Sequence, residues 1–162
     1  MQQLLPLIDA LNKAGVKYVV VGGLAVIFHG HPRLTTDIDL IFGLDKENAL
    51  KAIRTLTGLG YKAKIPVNPE DFADEDVRKG WISQKGLVVF SMYNPTDVLT
   101  IIDIFVEEPI PFESMMKDSV LKEVDGVEIR LASIEHLIHM KEKAGRPKDL
   151  DDIKVLKIIK GQ

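Results

Sequence analysis

The stretch from Gly22 to Leu40, GGLAVIFHGHPRLTTDIDL, closes one apolar run with two glycines and sets two aspartates, one residue apart, into the next. Side chains alternate along a strand, so Asp37 and Asp39 share one face while Ile38 and Leu40 point to the core. Two carboxylates side by side raise each other's pKa, and a divalent cation is the most direct way to keep both ionised. Magnesium suits such a pair: it is hard, prefers oxygen, keeps waters and takes further ligands from substrate phosphates. The glycines serve the same chemistry, because backbone approaches a phosphate closely where no Cβ intervenes, and a helix from Leu24 directs its N–H groups to the same place. A tight strand-to-helix turn alone asks for the same two residues.

The flanking residues set this stretch in an α+β frame. Leu4 to Ala14 has apolar side chains at helical spacing and Gly15 behind it, and Lys17 to Val21 is a buried strand running into the glycines. Leu24 to His29 reads as a short helix stopped by Gly30 and Pro32, Asp37 to Phe42 as a second strand, Asp45 to Thr57 as an amphipathic helix and Tyr61 to Ile65 as a third strand. The polar, acidic text between Pro66 and Gly80 reads as a surface loop over one sheet edge, a place for substrate specificity. Gly86 to Met92 and Asp97 to Glu107 make a hairpin through YNPT, and VLKEVDGVEIRLA makes another around Asp125 and Gly126. Ser133 caps a helix from Ile134 to Lys143, Gly145 breaks it, and Pro147 opens a last helix with Leu150, Ile153 and Leu156 as its buried stripe.

The order lacks a regular βαβ alternation. It predicts one α+β domain over residues 1–162, a mixed sheet with helices on one face and a helical C-terminal segment, with the core in 1–107 and the second hairpin and last helices in 112–162. Gly22 and Gly23 are adjacent and the next glycine is Gly30, which excludes the dinucleotide-binding G-x-G-x-x-G spacing.

At 162 residues and 46% hydrophobic composition the chain has enough length for a single core. It has no cysteine, so disulfides, thiolate zinc sites and cysteine nucleophiles are excluded, and any metal site uses Asp, Glu or His. The N-terminal residues, interrupted by Asp9, Lys13 and Lys17, read neither as a signal peptide nor as a membrane span, which suggests a cytoplasmic protein without a membrane partner. A formal net charge of -3 gives no overall attraction to nucleic acid. Lys141, Lys143, Arg146, Lys148, Lys154, Lys157 and Lys160 are interspersed with acids and read as a solvated helix face, with a local basic patch as the alternative.

A third acid completes the argument. Asp103 sits in VLTIIDIFV, and an unpartnered carboxylate desolvated there costs at least several kcal/mol, so it calls for a metal or a cation. If this strand lies beside the one from Asp37 to Phe42, three carboxylates converge and hold two cations about 3.5–4 Å apart, the spacing of two-metal phosphoryl or nucleotidyl transfer. A purely structural reading has Asp37 capping its strand, Asp39 paired with Arg33 or a lysine, and Asp103 on a strand exposed on one face.

Glycine pair, short helix, Asp-x-Asp and later acid, in that order, resemble the signature of the polymerase-beta-like nucleotidyltransferase superfamily. The C-terminal KEKAGRPKDLDDI resembles more narrowly its AbiEii-like branch, which includes toxins of abortive-infection and toxin-antitoxin systems. The resemblance runs from Val19 to Ile153. It implies that Gly22 and Gly23 bind nucleotide phosphates, that Asp37 and Asp39 bind both magnesium ions, that Asp103 binds the second metal and the acceptor hydroxyl, and that Lys141 neutralises triphosphate charge. Arg33 and Thr36 are candidate phosphate contacts. Asp149 and Asp152 share one helical face and match the family's terminal acids, which would complete an acceptor site; acids in a helix's first turn also simply complement its dipole.

The expectation is a magnesium-dependent nucleotidyltransferase that moves NMP from a nucleoside triphosphate such as ATP to an acceptor, be it tRNA, a protein or a small molecule. The chain is small beside larger members, which leaves room for a homodimer or an antitoxin partner. The alternatives are a non-catalytic nucleotide- or protein-binding module of a toxin-antitoxin pair, and a glycosyltransferase using Asp-x-Asp with a nucleotide sugar, which leaves the glycine pair unexplained.

Overall fold

The computed structural model describes residues 2–162. Its centre is the run YVVV, Tyr18–Val21 (β1), β-branched or aromatic throughout and buried at all four positions. A strand of that kind needs neighbours on both edges and cover on both faces. Asp37–Phe42 (β2) pairs with it antiparallel, Val21 opposite Asp39, and Val127–Leu131 (β7) pairs with it parallel on the other edge. Val89–Asn94 (β4) and Asp97–Phe105 (β5) form the YNPT hairpin, and β5 lies parallel to β2. Lys62–Ala63 (β3) and Val120–Val124 (β6) are the outermost strands of the seven-stranded mixed sheet, ordered β3-β4-β5-β2-β1-β7-β6.

Period-two patterning decides which way the central strands face. Ile38, Leu40, Phe90, Met92, Ile102 and Ile104 are fully buried, while Asp37, Asp39, Ser91, Tyr93, Ile101 and Asp103 occupy the opposite row and are only partly covered. The same hydrophobic rule that makes the core thus confines the acids to one side.

Leu4–Lys13 (α1) buries Leu4, Leu7, Ile8 and Leu11, and Gly22–Phe28 (α2) follows β1 without a break, so the two glycines form its first turn. Lys46–Gly58 (α3) starts at Asp45, whose carboxylate accepts from Asn48 N at 3.0 Å. Asn48 is buried with its amide donating to Gly43 O at 2.8 Å and Lys17 O at 3.0 Å, which staples the end of β2 to the start of β1.

The expected loop over residues 66–80 is instead a 3-10 turn, Pro69–Ala73, followed by a helix, Glu75–Lys85 (α4). Its acids are helix-start signals: Asn68 accepts from Glu70 N, and Asp74 accepts from Asp76 N at 2.9 Å and Val77 N at 3.2 Å. Phe72 and Trp81 anchor the segment against Phe90, at ring separations of 5.6 and 5.2 Å. Phe112–Asp118 (α5) is a helix that the sequence reading passed over. Ile134–Ala144 (α6), capped by Ser133 accepting from His136 N, and Pro147–Lys160 (α7) form the C-terminal pair and pack chiefly on each other. The buried face of α7 differs from the predicted stripe: Leu150 is 52% exposed, and Asp149 and Asp152 lie inward with Ile153 and Leu156. No helix among the described residues is long and apolar enough to cross a membrane.

Candidate active site

The register between β2 and β5 builds the site. Asp39 stands directly opposite Asp103, and Asp37 opposite Ile101, so the three acids occupy two adjoining rungs of neighbouring parallel strands, whose backbones run about 4.8 Å apart. On the far side of β5, Ser91 pairs with Asp103 and donates its hydroxyl to Asp103 Oδ1 at 2.5 Å. Thr36 Oγ1 lies 3.4 Å from Asp37 Oδ1.

β1 delivers the glycines to the same place, because Val21 pairs with Asp39 and Gly22 is the next residue. Gly22 has φ +69°, in the left-handed region, and a Cβ there would stand 2.1 Å from Asp39 Oδ2. Only glycine satisfies both conditions. At Gly23 a Cβ would come within 3.1 Å of Thr35 Oγ1 and 3.3 Å of Arg33 Cζ, so the Arg33 guanidinium and Thr35 cover the glycine turn.

Burial, then the charge of Asp103, then that of Asp37 push the Asp39 pKa up to about 7; Lys141 and Arg146 pull it back only in part. The charged form of Asp39 is therefore disfavoured, first by burial and then by the two neighbouring acids. Among the described residues no three His, Asp or Glu side chains are drawn together as a ready-made metal cluster. Asp103 instead turns one oxygen to Ser91.

A second polar group lies at the C-terminal helix pair. Asp152 Oδ2 accepts from both Arg33 Nη1 and Lys141 Nζ, the latter at 2.7 Å. His31 Nε2 is 3.7 Å from its other oxygen. Lys141 Nζ is also 3.5 Å from Asp149 Oδ1, and Arg146 grips Asp149 through Nε at 2.7 Å and Nη2 at 3.2 Å. Burial opposes the ionisation of Asp149, but the hydrogen bonds and charge of Arg146, with Lys141, hold its carboxyl below the usual carboxylate range.

The structure thus sets Asp37, Asp39 and Asp103 on adjoining rungs at the Gly22–Gly23 turn without closing the three acids into a metal cluster, with Thr36 beside Asp37 and Arg33 over Gly23. Lys141, Asp149 and Asp152 form their own buried cluster, joined to the glycine turn through Arg33. Arg33 pairs with Asp152 and not with Asp39, and of the lysines Lys141 acts on Asp39 only through its charge, its ion pairs being with Asp149 and Asp152. Ser91 and Thr35 were not singled out from the sequence, and Arg146 entered only as a member of the C-terminal basic stretch. Ser91 could not have been found by counting: regular pairing back from Asn94 and Asp97 puts it opposite Thr100, and the register shift between Tyr93 and Asn94 is what brings it opposite Asp103. Two surface clefts, one along α3 and one between α1 and the β6–β7 hairpin, are lined by none of these residues.

A family model described as nucleotidyl transferase AbiEii toxin, type IV toxin-antitoxin system, matches residues 7–157. No match is found among curated proteins. Among solved structures, the lincosamide antibiotic adenylyltransferase LnuA in its lincomycin-bound form is similar at 20% identity, over 98% of this chain and 97% of that one, with a TM-score of 0.65. A putative nucleotidyltransferase from Thermotoga maritima is similar at 18% identity over 99% and 92%, with a TM-score of 0.61. ANT(2")-Ia in complex with adenylyl-2"-tobramycin follows at 15% identity over 93% and 83%, with a TM-score of 0.57. At these identities the likeness is one of fold.

Proposed function

The chain belongs to the AbiEii nucleotidyl transferase family, and from that footing we propose that it moves NMP from a nucleoside triphosphate such as ATP to an acceptor hydroxyl or phosphate. The acceptor oxygen forms a bond to the α-phosphorus, the bond to the bridging α–β oxygen breaks, and pyrophosphate leaves with the electron pair. The observation that carries this reading is the pairing of Asp39 with Asp103 on neighbouring parallel strands, with the bare Gly22 facing Asp39.

The residues fit a divalent cation. Their donors are carboxylate oxygens, the missing Cβ of Gly22 makes room for the Asp39 carboxylate beside the glycine turn, and burial with the charges of Asp103 and Asp37 opposes ionisation of Asp39, an opposition that a bound cation would relieve. Asp37, Asp39 and Asp103 would hold it, and magnesium bound there supplies neutralisation of the attacking and leaving oxygens. The chain's own groups do the rest. Backbone N–H groups of the Gly22–Gly23 turn and the Arg33 guanidinium meet the phosphates, and Thr36 steadies Asp37. Asp103, oriented by Ser91, takes the proton of the acceptor hydroxyl.

LnuA and ANT(2")-Ia carry antibiotics or an adenylylated antibiotic in their structures, which supports testing small hydroxylated molecules first, with tRNA and proteins beside them. The family's description as a toxin supports testing a protein antitoxin that silences the activity. The experiment is calorimetric titration with Mg-ATP and the other magnesium nucleotides, followed by transfer of α-labelled NMP to each acceptor class. Binding that needs magnesium and disappears in Asp39→Ala is expected; binding that survives this substitution unchanged, or no binding at all, refutes the proposal.

A further inference from the structure

Asp152 is only 3% exposed, yet its Oδ2 is shared by two cations, Arg33 and Lys141, and its Oδ1 lies near the His31 ring. Arg33, 119 residues away in sequence, comes from the segment joining α2 to β2, as does His31. Lys141 comes from α6 and is itself buried. α6 and α7 pack chiefly on each other and reach the core through Leu137 and Leu156, and this charge cluster ties the helix pair to the glycine turn.

The direction in which Asp152 acts follows from what Arg33 touches. A guanidinium has five donors in a planar fork, and a contact with Asp152 uses one Nη group. The Arg33 side chain is 20% exposed and lies against Gly23, which leaves its other donors at the turn assigned above to phosphate. An arginine held in place before the ligand arrives does not have its ordering cost charged to the binding step. Asp152 itself is poorly placed to touch substrate, being buried with one oxygen shared by two cations.

We propose that Asp152 is a positioning residue for the triphosphate: it holds Arg33 over the Gly22–Gly23 turn and, through Lys141, fixes that arginine to the C-terminal helices. This places Asp152 on the donor side of the reaction, where the family resemblance alone suggested the acceptor side. The inference rests on reading the glycine turn as a triphosphate site.

A double-mutant cycle tests it, with calorimetric binding of Mg-AMPCPP, a nonhydrolysable ATP analogue, to the full chain. Arg33→Ala and Asp152→Asn are each expected to weaken binding about tenfold, as for a lost charged hydrogen bond, and the double variant no more than Arg33→Ala alone. Unchanged affinity in Asp152→Asn, or losses that multiply in the double variant, overturns the inference while leaving the proposed function standing. Absence of binding by the wild-type chain overturns both. Should Asp152→Asn fail to fold, the Arg33 side-chain NMR signal of the wild-type protein, assigned with Arg33→Lys, decides. Hindered guanidinium rotation in the free protein and a shift on adding Mg-AMPCPP are expected, and free rotation overturns the inference.

Discussion

Replacing Asp39 by asparagine removes the charge at the centre of the site while keeping its shape, and the consequence for stability is calculable. The Asp39 carboxyl is raised from an ordinary value near 3.8 to about 7. The folded protein therefore holds this proton more tightly than the unfolded chain does. The associated stability is fully present below pH 3.8 and is lost as pH rises through the folded value. A shift of that size sets an upper bound of about 4 kcal/mol on the loss between pH 4 and pH 7, and since Asp37 and Asp103 share the repulsion, a loss of roughly 2–4 kcal/mol belongs to the trio. Urea denaturation midpoints of wild type and Asp39→Asn, measured from pH 4 to pH 8, report the effect of the coupled trio, because the carboxylates outside it cancel in the difference. The wild type is expected to lose stability across that window relative to the variant. At pH 8 magnesium chloride should restore it to the wild type and not to Asp39→Asn, since a ligand bound only by the folded state stabilises it. Parallel stability curves for the two proteins, with or without magnesium, would refute the reasoning.

Gly22→Ala is expected to cost about 2–4 kcal/mol, of which roughly 1–2 is the left-handed backbone and the remainder the collision with Asp39; in an Asp39→Gly background, which removes the colliding atoms, denaturant titration should show the penalty fall to the backbone part. Trp81→Ala should cost about 3–5 kcal/mol by the loss of its buried stack on Phe90, read as a lowered thermal midpoint with the magnesium response of the carboxylates retained.

The candidate site was legible where charge interrupts a hydrophobic rule. Asp37, Asp39 and Asp103 stand out because a period-two strand has no structural need for them, and Gly22 because a strand running into a helix makes an unusual demand on backbone. The segment 69–85 was not legible for the opposite reason: its acids belong to caps and first turns, so a run that looks solvated conceals Phe72 and Trp81 as anchors. The ion cluster escaped in part for a third. Acids three residues apart on α7 look alike on a buried and an exposed face, and only the packing of α6 and of Arg33 against α7 turns Asp149 and Asp152 inward and Leu150 outward. Helix spacing identifies a stripe, while its orientation is decided by the partners that the helix meets.

The order of strands in the sheet differs from their order of synthesis, and this bears on when the protein can first act. β1 and β2 emerge early but acquire β5 and β7 late: Asp39 waits for Asp103, Val20 for Leu131 and Arg33 for Asp152. At ordinary rates of translation these waits last on the order of several seconds to tens of seconds. During them the β1–β2 pair has bare edges, the condition in which strands recruit one another. A partly synthesised chain therefore lacks the assembled candidate site while it exposes the strand edges that β5 and β7 later cover.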